Sequence, residues 1–274
     1  MSVRSHTTLG IVATAAGLLG SIALLSGCAA RAATTAPRGY TVIAEYPHDT
    51  SGYTQGLVYR GNGPLFESTG RYGHSELRKV DLKSGRVEQR IPLPATRFGE
   101  GLTSLGGKLY QLTWHEQIAY VYDETAFRLI DSIPYAGEGW GLATDGASLI
   151  VSDGSDSLRF VDPATFALRR AVKVRYSSRE PADKLNELEY IGGELFANVY
   201  QSDWILRIDP KDGTVLEVID LSRLLPAYSA QKTDEDVLNG IAFDEATGHL
   251  YVTGKRWPRL FELKLDRPPG TQAP

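Results

Sequence analysis

Five short phrases built on a Gly-Leu pair vary in the residue immediately ahead of the pair: Gln55, Glu100, Trp140, Asn186 and Asn239. A second series falls five residues after the leucine of a following phrase, and reads Gly70, Trp114, Gly154, Tyr200 and Lys255. Tyr53 and Phe98 stand two positions before the first series in the first two copies. Framework residues repeat because each copy solves the same packing problem, but these positions do not repeat. Brought together, they would make a small-ligand pocket: aromatic walls with a carboxylate, a lysine and a few amides aimed inward. Taken one at a time, the aromatics are ordinary packing between repeats, and Glu100 with Lys255 can be an ion pair that neutralises itself across a channel.

The elements that must position these residues recur along most of the chain. The Gly-Leu pairs are Gly56-Leu57, Gly101-Leu102 and Gly141-Leu142, then the variant Glu187-Leu188, then Gly240-Ile241. Each is followed by a second strand phrase: LFESTGR, LYQLTWH, LIVSDGS, LFANVYQ and LYVTGKR. A third strand carries an aspartate turn near Asp81, Asp123, Asp162 and Asp209, and a further alternating stretch follows each. Four short strands in roughly 40–50 residues are the period of a propeller blade. The fifth copy stops at FELKL and lacks its last strand, whereas TVIAEYP (41–47) resembles a fourth strand without a blade. The predicted fold is therefore all-β: a five-bladed β-propeller over residues 39–266, its ring closed by the N-terminal strand pairing with the last blade. No long helix is expected, only short helical turns within 220–228 and 234–239. A closed ring hides its sheet edges, which implies a monomer.

Composition narrows the partners. The 274 residues hold 29 Lys and Arg against 33 Asp and Glu, a net charge of −4 with no basic block. That excludes an electrostatic footprint for nucleic acid. The single cysteine, Cys28, excludes an internal disulfide framework and a cysteine-ligated zinc site. Ahead of it, Arg4 precedes an apolar stretch over 9–25 that is short for a spanning helix and reads as the core of a signal peptide. The following Leu-Ser-Gly-Cys resembles the lipobox of bacterial lipoproteins. Residues 1–27 are thus expected to be a signal peptide, Cys28 the lipidation site, 28–38 a flexible tether and 267–274 a disordered tail. The protein is expected to be exported and lipid-anchored to a membrane, facing the periplasm or the cell exterior.

Other chemistries lack their parts. The histidines are scattered, with no His-Glu-x-x-His and no zinc spacing. There is no Gly-x-Ser-x-Gly elbow, and 137–141 does not fit a dinucleotide fingerprint. Asp153-Gly154-Ser155-Asp156 reads more simply as a hairpin turn than as a calcium loop. A metal-dependent propeller lactonase or esterase would need several carboxylates converging where the inner ring offers only Glu100. A non-catalytic lipoprotein scaffold would need a filled or apolar channel mouth.

The phrases YTQGL (53–57), FESTG (66–70), FGEGL (98–102), LTWHE (112–116), WGL (140–142), LNELEY (185–190), NVYQSDWILRIDP (198–210), LNGIAFD (238–244) and VTGKRWP (252–258) resemble the plant- and bacterial-type glutaminyl-peptide cyclotransferases, in family order. The resemblance implies a five-bladed propeller that converts the N-terminal glutamine of peptides or proteins to pyroglutamate with release of ammonia. It also implies that no metal or other cofactor is required for catalysis; a structural calcium stays open. The family's pocket positions fall on Tyr53, Gln55, Phe98, Glu100, Trp114, Trp140, Asn186, Tyr200 and Lys255. Among these Glu100, Lys255 and Asn186 are the expected catalytic groups, with Glu100 as general acid/base. Lys255, Asn186 and Gln55 share the task of orienting the amide and its developing oxyanion. Tyr53, where the family often has Phe, and Tyr200, where it often has Trp, each keep an aromatic wall and add a hydroxyl.

Overall fold

The computed structural model describes residues 39–59, 61, 63–224 and 233–271. The expected signal peptide, Cys28 and the tether over 28–38 lie outside the described residues. Among the described residues twenty strands form five four-stranded antiparallel sheets. Blade 1 comprises β2 (Thr54–Tyr59), β3 (Leu65–Thr69), β4 (Glu76–Asp81) and β5 (Arg86–Pro92), from the axis outward. Blade 2 is β6 (Gly99–Leu105), β7 (Lys108–Thr113), β8 (Ile118–Asp123) and β9 (Arg128–Pro134). Blade 3 is β10 (Leu142–Thr144), β11 (Leu149–Val151), β12 (Ser157–Val161) and β13 (Leu168–Lys173). Blade 4 is β14 (Leu185–Ile191), β15 (Glu194–Val199), β16 (Trp204–Ile208) and β17 (Val215–Asp220). Blade 5 is β18 (Leu238–Asp244), β19 (His249–Gly254), β20 (Arg259–Leu265) and, outermost, β1 (Tyr40–Pro47).

The closure occurs as expected. Tyr40 pairs with Leu265 and Pro47 with Arg259, so the first strand completes the last blade. A 3-10 turn at Ser222–Leu224 falls within the expected 220–228 segment. No helix forms over 234–239, where Leu238 and Asn239 already belong to β18. Four aspartate turns close as the repeats imply: the carboxylates of Asp81, Asp123, Asp162 and Asp209 accept from the backbone N–H groups of Ser84, Ala126, Ala164 and Lys211. Residues 267–271 form a turn in which Thr271 donates to the Pro268 carbonyl, beside Gly192.

Five apolar seams, one at each blade interface, make the core. Val58, Phe66 and Leu77 of blade 1 meet Leu102, Leu109 and Tyr122 of blade 2. Leu57, Leu65 and Val80 meet Ala242, Tyr251 and Leu260 of blade 5, which closes the circle. Each fully buried leucine contributes about 1.5–3 kcal/mol, so every blade is held from both sides.

The axis explains the repeated glycine. A Cβ on Gly56 would lie 2.4 Å from the Leu102 nitrogen, on Gly101 2.5 Å from the Leu142 nitrogen, and on Gly141 1.9 Å from the Asn186 oxygen. Inner strands touch backbone to backbone there, and no side chain fits. The fourth copy departs from the pattern: Glu187 is wholly buried, and its carboxylate accepts from the backbone N–H groups of Leu57, at 3.3 Å, and Ile241, at 2.8 Å. One carboxyl thus ties blade 4 to blades 1 and 5. Burial pushes its pKa well above the usual carboxylate range, aided by Glu189.

Candidate active site

Ladder irregularities aim the site residues. Register shifts fall between Thr54 and Gly56, Gly99 and Leu102, Leu185 and Leu188, and Leu238 and Ile241. Gln55, Glu100, Asn186 and Asn239 sit in those interruptions, where a bulge re-aims the side chain out of the pleat. The second series is equivalent in space as well. The backbone N–H groups of Gly70, Trp114, Tyr200 and Lys255 donate to the carbonyls of Tyr53, Phe98, Lys184 and Val237, each two positions before the first series. The glycines of this series make room for neighbours: a Cβ on Gly70 would lie 2.3 Å from Phe98, and one on Gly154 2.7 Å from Trp140.

All nine expected pocket residues line one cavity of about 300 Å³: Tyr53, Gln55, Phe98, Glu100, Trp114, Trp140, Asn186, Tyr200 and Lys255. Its walls interlock edge to face. Tyr53 meets Phe98 with ring centroids 6.1 Å apart, Phe98 meets Trp114 at 5.5 Å, and Trp140 meets Tyr200 at 5.6 Å. The Lys255 ammonium bridges the remaining walls, 4.7 Å from the Tyr53 ring centre and 5.0 Å from that of Tyr200.

At the base, Glu100 is buried, and its Oε1 accepts from Gln55 Nε2 at 2.9 Å. Gln55 is itself oriented by Asn239, whose Nδ2 donates to Gln55 Oε1 at 3.0 Å and to the Thr54 carbonyl at 2.9 Å. Asn239 therefore stands behind the pocket as a support. Behind Tyr53 lies a buried ionic cluster. His48 Nδ1 donates to the Trp257 carbonyl at 2.7 Å and Nε2 to Glu67 at 3.1 Å. Thr54 and Arg78 also engage Glu67. A histidine whose two ring nitrogens both face acceptors is an imidazolium.

The direct Glu100–Lys255 ion pair does not form: among the described residues the Lys255 ammonium makes no ion pair or hydrogen bond and faces the Tyr53 and Tyr200 rings. The two groups still shift each other. Burial pushes the Glu100 carboxyl well above its usual range; Lys255 opposes this, and Glu116 and Glu138 reinforce it. Burial pulls the Lys255 ammonium down to about 8, against the attraction of Glu100 and Glu235. Acid and amine are thus both displaced toward neutrality, where proton exchange is easiest. Among the described residues no three His, Cys, Asp or Glu side chains converge on a metal-sized site.

Three residues of the site were not anticipated. Arg71 and Glu235 line the mouth and pair at 3.4 Å, joining blade 1 to the segment before β18. Arg71 follows the second-series Gly70 directly, and Glu235 lies in an insertion with no counterpart in other repeats. Glu138 accepts from the indole N–H of both Trp114 and Trp140, each at 2.9 Å. It occupies in the third copy the position that Tyr53 and Phe98 hold in the first two, so extending that register by one blade points to it.

Fold and site together define a five-bladed propeller enzyme with an aromatic pocket, a buried carboxyl and an unpaired ammonium at one mouth of its channel. The model of the glutamine cyclotransferase family matches residues 15–265, and the chain belongs to that family. A glutaminyl-peptide cyclotransferase from Arabidopsis thaliana is 48% identical over 228 residues, which cover 82% of this chain and 71% of the relative. The crystal structure of Myxococcus xanthus glutaminyl cyclase superposes with a TM-score of 0.79 at 42% identity, covering 84% of this chain and 97% of that one.

Proposed function

We propose that this chain is a glutaminyl-peptide cyclotransferase in which Glu100 moves the proton, Lys255 and Asn186 meet the amide, and no metal takes part. The observation that carries the reading is the Glu100 carboxyl at the base of an aromatic pocket, one oxygen held by Gln55 and the other without a hydrogen bond among the described residues. The N-terminal glutamine of a peptide or protein enters side chain first. Its α-nitrogen attacks its own γ-carboxamide carbon: a C–N bond forms, the bond to the amide nitrogen breaks, and ammonia leaves. Glu100 takes a proton from the attacking nitrogen and returns it to the departing one, a role worth about 10²–10⁴-fold. The solution pKa of an α-amine, about 7.7–8.0, makes the first transfer a modest task.

Oxyanion stabilisation falls to groups that are free to give it. Gln55 Nε2 already gives one N–H to Glu100, whereas the Lys255 ammonium, held between two rings, and the Asn186 side chain make no hydrogen bond among the described residues. A single donor in this role is worth about 3–4 kcal/mol. Trp114, Trp140, Phe98, Tyr53 and Tyr200 confine the side chain in a folded conformer close to the five-membered ring, which lowers the entropic part of the barrier. Export and lipid attachment through Cys28 belong to the same proposal; the support is the Leu-Ser-Gly-Cys phrase after an apolar run.

The test is incubation of the protein with a short peptide beginning with glutamine, with and without chelator. Stoichiometric ammonia release with loss of one ammonia from the peptide mass, unaffected by chelator, is expected. A folded protein that leaves the peptide unchanged would overturn the activity, and turnover abolished by chelator would overturn its metal independence.

A further inference from the structure

The aromatic wall is not continuous. Edge-to-face contacts run Tyr53, Phe98, Trp114 on one side and Trp140, Tyr200 on the other, and Lys255 spans Tyr200 and Tyr53. Among the described residues no ring contact joins Trp114 of blade 2 to Trp140 of blade 3. What joins them is a single oxygen: both indole N–H groups donate to Glu138 Oε2 at 2.9 Å.

The loop carrying Glu138 is built to hold that oxygen in place. In four blades the carbonyl two positions before the first series accepts the backbone N–H of the second-series residue, just past the end of its strand. In blade 3 the corresponding carbonyl, that of Glu138, accepts from the Arg159 guanidinium at 2.6 Å, and the Ala136 carbonyl accepts from the same group at 2.7 Å. Gly137, in the left-handed region at φ 85°, turns the chain between them. Gly139 admits no side chain, because a Cβ there would lie 2.4 Å from the Tyr135 hydroxyl. The His115 ring stacks on Trp114 with centroids 3.8 Å apart and lies 3.6 Å from the other Glu138 oxygen.

We propose that Glu138 is a positioning residue that clamps Trp114 and Trp140 into one rigid wall, with Arg159 as its backbone anchor, and so sets how well the pocket grips the glutamine side chain. It does not touch the reacting atoms, and the proposal rests on the cyclotransferase reading only for its kinetic readout. An indole donates one hydrogen bond, so without the shared acceptor each tryptophan keeps only its own ring contacts, Trp114 with Phe98 and His115 and Trp140 with Tyr200, and the two are no longer coupled through a side chain. The loss then falls on substrate binding before it falls on proton transfer.

The experiment compares Glu138→Ala, which removes the acceptor, with Glu138→Gln, whose carbonyl oxygen can still receive both N–H groups. Near-UV circular dichroism reads tryptophan packing without reference to activity, and steady-state kinetics on a glutamine peptide reads KM and kcat separately. The proposal expects Glu138→Ala to weaken the tryptophan bands and raise KM about tenfold or more, with a smaller change in kcat, and Glu138→Gln to restore both. Unchanged bands and KM in a folded Glu138→Ala protein would overturn it, as would a Glu138→Gln protein no better than the alanine variant. A wild-type protein with normal tryptophan bands but no turnover would sink the cyclotransferase reading instead, and the bands of the two variants would still decide whether the clamp exists.

Discussion

Replacing Gly70 by alanine tests whether the repeat register shapes the pocket. The added Cβ would stand 2.3 Å from Phe98 Cε1, 2.8 Å from its Cζ and 3.1 Å from the Gly99 oxygen. Carbon atoms rest at about 3.5–4.0 Å, so the phenyl ring must retreat by more than an ångström. It cannot do so freely, because Tyr53, Tyr72 and Trp114 abut it edge to face, at 6.1, 5.4 and 5.5 Å between centroids. Overpacking of this kind costs about 1–3 kcal/mol. Taken from substrate binding, that range spans a several-fold to about a hundredfold rise in KM, at 1.4 kcal/mol per factor of ten. Taken from folding, it lowers Tm by roughly 2–12 °C, given about 2–4 °C per kcal/mol for a domain of this size. KM from ammonia release and Tm from calorimetry check both. Gly154→Ala is expected to cost more, since its φ of 78° adds left-handed strain to the clash with Trp140. A Gly70→Ala protein with wild-type KM and Tm would refute the placement of Phe98 over that glycine.

Lys255→Met should lower kcat by about 10²–10³-fold if the ammonium meets the oxyanion; a loss confined to KM would assign it to binding alone. Glu187→Ala strands the N–H groups of Leu57 and Ile241 at the axis, at about 1–3 kcal/mol for each unsatisfied donor. Glu187→Gln keeps an acceptor and should be tolerated, which denaturant midpoints will show. Because burial raises the folded pKa of Glu187, the wild-type carboxyl subtracts stability as pH rises above its unfolded value, and the glutamine variant should lose that slope. For His48, burial favours the neutral ring, but Glu67 and the Trp257 carbonyl outweigh it and raise its pKa. Its contribution is complete below the unfolded value of about 6.5 and disappears as pH rises through the folded pKa. Burial likewise opposes Glu67 ionisation, yet His48 and Arg78 depress its pKa, so its contribution is lost as pH falls through that lower value. Tm against pH should therefore decline on the alkaline side, and His48→Gln should flatten that decline.

Much of the architecture was readable because a propeller states its solution five times. The Gly-Leu register located the inner strands, and the spare strand at 41–47 implied the closure that Tyr40–Pro47 makes with Arg259–Leu265. The pocket followed from the positions where the copies disagree. What the repeats hid were effects that depend on a single copy. Glu187 looked like a blemish in the Gly-Leu pattern, yet it is the carboxyl that receives two backbone donors at the axis. The bulges that turn Gln55, Glu100, Asn186 and Asn239 inward leave no mark in residue type, because a bulge is a property of pairing between strands. Glu235 could not be aligned at all, since its loop exists in one blade only. The ion pair entertained for Glu100 and Lys255 failed because both side chains are fixed by other neighbours, one by Gln55 and the other between two tyrosine rings.

The most direct test of the account is the rate of ammonia release by Glu100→Gln against wild type, on one glutamine peptide, with Tm measured on both. Glutamine fills the same space and can still accept from Gln55, so the fold should hold and Tm should not fall. The account predicts a loss of about 10²–10⁴-fold in kcat. A folded variant within tenfold of wild type would contradict it and move the proton transfer to another group.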